Sequence, residues 1–237
     1  MYGIGGYGFG WFYDPTFILV IIGMVISMAA SAYVKSTFSK YDKISSRNNI
    51  TGTKAAQYIL ESQGINNVGV QAIAGDLTDN YNSDKMLSLS QATAQSTSVA
   101  AIGVAAHECG HAVQDAKGYL PLRIRHAIVP VANIGSAVSI PLILIGVLLR
   151  GSFLINLGIL AFSLAFIFQL VTLPVEFDAS RRALRILADG GLLTEEEVPQ
   201  ARKVLFAAAL TYVAAAVATL LQLLRLIILF GNNNRRD

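Results

Sequence analysis

The sequence predicts a mainly α integral membrane protein, with about four transmembrane helices and a small cytosolic α+β insertion. Three observations predict it. Of 237 residues, 54% are hydrophobic and only 14% charged, with a mean hydropathy of +0.53, outside the range of ordinary soluble domains. The apolar residues gather into long uncharged runs of membrane-spanning length. Between the first and second runs lies a polar segment with its own helix and strand patterns. The one cysteine, Cys109, excludes an internal disulfide framework and a multi-cysteine zinc ribbon, so any metal must be held by histidine and carboxylate. A net charge of +3 without a basic stripe interleaved with aromatics leaves no support for a nucleic-acid partner.

Residues 1–34 read as a leader and transmembrane anchor. Phe17 to Val34 is an uncharged apolar run, and "MYGIGGYGFGWFYDPT" before it lacks the Lys or Arg of a cleaved signal peptide. Residues 35–126 form the polar region, opened by Lys35, Lys40, Lys43, Arg47 and Lys54, which the positive-inside rule places in the cytoplasm. Within it, "TGTKAAQYILESQG" has a capping Thr and a closing Gly around helically spaced apolar residues. "VGVQAIAG" and "KMLSLS" flank the turn-rich "DLTDNYNSD" and predict a small sheet or hairpin. From Ser98 the pattern is helical again, ending near Gly118.

Residues 127–173 hold two apolar runs joined by "RGS", a transmembrane hairpin returning to the cytoplasmic side. Arg181, Arg182 and Arg185 agree with that return. Residues 174–204 read as a second cytosolic segment, and 205–237 as a last membrane helix and tail. Four spans put Arg235 and Arg236 outside, a weak conflict with the charge rule.

The helix expected from Ser98 contains "VAAHECGHAVQ". His107 and His111, one helical turn apart, project from one face and can reach a common zinc ion at about 2.0–2.1 Å. Glu108 can take the proton of a water attacking a carbonyl and pass it to the leaving amine. Chance yields such a triple roughly 0.001 times in a chain with this composition. Two helix histidines bonded only to backbone groups are the plain alternative. Cys109, about 200° around the helix from His107, reads as a small buried residue.

A catalytic site needs a third protein ligand. Gln114 and Lys117 stand where the extended metzincin pattern requires Gly and His. His126, beside Arg123 and Arg125, reads more readily as an interfacial histidine. Glu176, in "LPVEFDASRRAL", follows Pro174, which is expected to break the chain as it leaves the third span; an ion pair with Arg181 is its alternative role. Glu195, Glu196 and Glu197 read as a solvated helix start after Thr194. Arg181, Arg182 and Tyr212 are candidates for stabilising an oxyanion, although topology and packing explain them equally well.

"GVAAHECGHAVQ", "LPVEFDASRRAL", "GDLTDNY" and the four-span layout together resemble the YugP-like family of bacterial membrane zinc metallopeptidases, over nearly the whole chain. The chain is more distantly similar to the membrane CAAX and heat-shock zinc proteases. The resemblance implies a zincin-like insertion, a zinc cofactor, His107, His111 and Glu176 as ligands, and Glu108 as general base. In the distant relatives an Asp four residues beyond the ligand Glu orients a zinc-bound His. Ser180 holds that place here and Asp178 is the nearer acid, so both are candidates for supporting a ligand.

The expected activity is hydrolysis of peptide bonds by a multi-pass protein of the bacterial inner (cytoplasmic) membrane. The site then faces the cytoplasm, and the substrates are peptides or membrane proteins met in quality control. An exposed edge strand near the site could add a substrate strand. A non-catalytic membrane scaffold with a structural metal is the alternative, one that has no use for Glu108.

Overall fold

The computed structural model describes residues 14–75 and 78–231. The leader before residue 14, the tail after residue 231, and Asp76 and Leu77 of the "GDLTDNY" loop lie outside the described residues. In chain order the elements are α1 (Phe17–Tyr41), α2 (Gly52–Ser62), β1 (Gly69–Ile73), β2 (Asn80–Tyr81), β3 (Met86–Ser90), α3 (Gln91–Ala94), α4 (Val99–Ala116), α5 (Leu120–Leu148), α6 (Ser152–Asp189) and α7 (Val198–Phe230). Among them α1, α5, α6 and α7 are long and apolar enough to cross a membrane. The protein is thus mainly α and membrane-like, with one three-stranded sheet among the described residues.

Two compact units divide the chain. The first comprises 1–29, 125–171 and 212–237. Its apolar side chains are largely exposed, Ile134 at 65% and Leu160 at 62%, the surface expected of helices solvated by lipid rather than water. Small residues let its helices approach: a Cβ at Gly135 would meet the Ala161 carbonyl oxygen at 2.7 Å, and one at Gly158 the Ser139 carbonyl oxygen at 2.8 Å.

The second unit comprises 30–124 and 172–211 and has a conventional buried core. Ala55, Ala56 and Ile59 of α2 meet Ile102, Ala105 and Cys109 of α4, with Leu87 and Leu89 of β3 beside them. Thr51 caps α2, its side chain accepting the Lys54 N–H, and Ser98 caps α4 by accepting the Ala101 N–H. Cys109 is fully buried, as expected of a packing residue, and burial pushes its thiol up.

Three expectations need refinement or correction. First, of the small sheet or hairpin expected, the sheet is what forms: β1 and β3 pair in parallel, and β3 is the central strand of the order β1-β3-β2. The turn-rich connector supplies β2, which pairs antiparallel with β3. Second, Pro174 does not break the chain but lies inside α6. A helical proline forfeits one backbone hydrogen bond. Beyond it Val175, Ala179, Ala183 and Leu187 recur every fourth residue, all fully buried, and this apolar stripe holds the helix through the defect. Third, Glu197 is not solvated. Its carboxylate accepts the backbone N–H of Thr194 at 2.8 Å and of Arg47 at 2.7 Å, tying the approach to α7 to the segment after α1.

Candidate metal centre

Helix α4 presents His107 and His111 on one face, with ring centroids 4.8 Å apart and planes nearly perpendicular at 83°. Glu176 enters from α6, its carboxylate almost wholly buried. Its Oε2 lies 3.2 Å from His107 Nε2 and 3.6 Å from His111 Nε2. The close approach of α6 depends on Gly110, between the two histidines: a Cβ there would stand 2.5 Å from the Ala179 carbonyl oxygen. That contact, one turn along α6 from Glu176, sets the reach of the carboxylate toward the histidines.

The donor set fits zinc. Two ligands at about 2.1 Å from a tetrahedral ion stand about 3.4 Å apart, between the two separations observed. The proton arrangement makes the same point. Gln114 Nε2 donates to the Val175 carbonyl at 2.8 Å and to Asp178 at 2.9 Å. Its Oε1 must then accept from His111 Nδ1, 3.1 Å away. So arranged, His111 turns Nε2 toward the Glu176 carboxylate, where it can hold a metal ion as a neutral ring or, without one, donate as an imidazolium. Burial opposes charge on His111, yet the Glu176 and Glu108 carboxylates hold its pKa above the ordinary value. His107 is fixed by Ser180, whose Oγ lies 3.0 Å from Nδ1, leaving Nε2 to face Glu176.

Glu108 is buried beside the histidines. Burial pushes its carboxyl above the usual carboxylate range; His107 and His111 pull it down, while Glu176 and Asp79 add to the rise. Asp79 itself is a scaffold residue, accepting the Ser90 N–H at 2.8 Å and the hydroxyls of Ser90 and Thr93.

The structure therefore brings together His107, His111, Glu176, Asp178 and Ser180 from the residues singled out in the sequence, with Glu108 alongside. Asp178 supports His111 through Gln114 and is held by Arg182 Nε. Arg181 is mostly exposed, with Nη1 3.9 Å from Asp178. Tyr212, half-buried on α7, and His126, exposed on α5, fall in the other compact unit. Gln114 is the functional residue that sequence reasoning missed. Its signal was the three-residue step from His111, which puts both on one helix face.

Residues 16–231 match the family described as "Putative neutral zinc metallopeptidase". The chain belongs to that family. It is 44% identical over 216 residues to the "Putative membrane protease YugP" of Bacillus subtilis (strain 168), covering 90% of this chain and 96% of the relative. No solved structure matches. Membership agrees with the donor chemistry of the His107, His111 and Glu176 group, whose ligand atoms all lie within 4.8 Å of one another.

Proposed function

We propose that the protein is a membrane-embedded zinc-dependent endopeptidase hydrolysing peptide bonds at the cytoplasmic face of a bacterial inner membrane. Membrane-protein turnover is its proposed role. The observation that carries the reading is the convergence of His107 Nε2, His111 Nε2 and Glu176 Oε2 on one point with Glu108 alongside. That is a gluzincin-like HExxH-plus-Glu arrangement.

Zinc held there supplies a Lewis acid that polarises the scissile carbonyl and acidifies a water. The protein's own part is proton handling and positioning. Glu108 accepts a proton at its carboxylate and returns it to the leaving amine, and its burial favours the proton-holding form midway. Ser180 and Gln114 hold the rings of His107 and His111 with Nε2 turned inward. Basic residues before residue 55 and at 181–185 support the cytoplasmic placement.

Metal analysis of the purified full-length protein, paired with cleavage of a fluorogenic peptide library, tests the reading. Stoichiometric zinc and cleavage abolished by Glu108→Gln are expected. Zinc without cleavage of any peptide or membrane-protein substrate would favour a scaffold with a structural metal instead.

A further inference from the structure

Helices α6 and α7 enclose, within the second unit, an open groove of about 570 Å³. Leu184, Val198, Leu205 and Ala209 give it an apolar floor, while Arg181, Arg185 and Arg202 line it with positive charge. No Asp or Glu is among the lining residues. The three guanidinium groups have no carboxylate beside them in the lining; among the described residues Arg181 Nη1 stands 3.9 Å from Asp178, outside it. Ser180, whose Oγ lies 3.0 Å from His107 Nδ1, is among the lining residues. The groove and the candidate metal centre therefore share Ser180 as a neighbour.

We infer that this groove is a substrate subsite, one that takes a peptide segment in which apolar side chains are joined to carboxylates, beside the bond to be cleaved. The inference deepens the peptidase reading and rests on it for the word substrate. The lining runs along α6 from Phe177 to Ala188, about 16 Å at helical rise, which accommodates about four to five residues of extended chain. Apolar side chains fill the trough, and carboxylates of acidic residues, or of a chain terminus, meet the arginines. Position selects this occupant over the phosphate of an anionic lipid: a groove that shares Ser180 with the metal-binding group presents its contents to the reacting centre.

The experiment uses zinc-loaded, full-length protein in nanodiscs of neutral phosphatidylcholine. Two fluorescein-labelled peptides that differ only in a Glu-Glu or a Lys-Lys pair after a Leu-Phe pair are compared for binding by anisotropy and for cleavage. The acidic peptide is expected to bind about tenfold more tightly, the yield of two or three partly exposed ion pairs. Arg185→Glu together with Arg202→Glu should reverse the preference and leave zinc content unchanged; the milder pair Arg185→Gln and Arg202→Gln should abolish it if the reversal variant fails to fold. Equal binding of both peptides overturns the subsite even if both are cleaved, and then the peptidase reading stands alone. Charge-selective binding without cleavage keeps the groove and removes the peptidase reading. Loss of the acidic peptide's advantage when anionic lipid is added to the nanodiscs, with the lipid retained by the arginines, assigns the groove to a headgroup and also overturns the proposal.

Discussion

Gly110 of α4 and Ala179 of α6 touch backbone to backbone, with no space for even a methyl group between them. Gly110→Ala gains helix propensity of about 1 kcal/mol yet must push α6 outward, an overpacking cost of about 1–3 kcal/mol. Glu176 rides on the displaced segment. The expected outcome is a lower Tm and weaker zinc retention together, measured by thermal unfolding and by metal analysis after dialysis; unchanged values for both would show that the approach of α6 does not depend on this glycine.

The ligand assignment separates three residues from a fourth. His107→Ala and His111→Ala should each abolish stoichiometric zinc, because two remaining protein ligands rarely hold it. Glu176→Gln should weaken retention strongly, whereas His126→Ala should leave the metal in place. Zinc loss in the His126 variant with retention in the Glu176 variant would reverse the assignment.

Glu108→Gln tests base against ligand. The amide can still hydrogen-bond but cannot accept a proton. Zinc should stay bound while turnover falls by about 10²–10⁴-fold, the usual contribution of a general base. Wild-type cleavage by this variant would point to another base.

Gln114 supports a ligand without touching the metal position. Gln114→Leu removes the acceptor for His111 Nδ1 and one of the donors to Asp178, which keeps Arg182 Nε. Zinc affinity, read by chelator competition, should fall about 10–100-fold. Asp178→Asn should fall less, because the Val175 carbonyl still orients the Gln114 amide. An affinity equal to wild type in Gln114→Leu would mean that His111 needs no such partner.

Much of this was legible in the sequence, and the failures share a cause. Helix α4, its start at Ser98 and the placing of His107 and His111 on one face follow from local spacing, which tertiary structure did not alter. Glu176 stood out by its place after an apolar hairpin. The burial of Gln114 was not legible: on α4 alone it is a polar helix residue, and only Val175 and Asp178 arriving on α6 turn it into an oriented amide. Pro174 misled because a local rule about proline was outweighed by the fourfold apolar stripe beyond it. The parallel pairing of β1 with β3 was hidden because a connector of Asp, Asn and Ser carried a strand of its own.

Orientation is open to a direct measurement. In a Cys109→Ser background, a cysteine at Asp84 should be inaccessible to a membrane-impermeant thiol reagent on intact cells, while one at Gly151 should label. The reverse pattern would place the proposed chemistry outside and overturn the charge argument.

The order in which the donors occur along the chain bears on synthesis. Helix α4 and its two histidines are complete before either apolar run of α5 and α6 has been made, and Glu176 emerges only after both. A ribosome-bound chain that ends before residue 176 holds the two imidazoles of the metal-binding group without its Glu176 carboxylate, one protein ligand short of the set. On the proposed reading, the metal centre is completed only after both runs of the hairpin have been made and Glu176 has joined the two histidines.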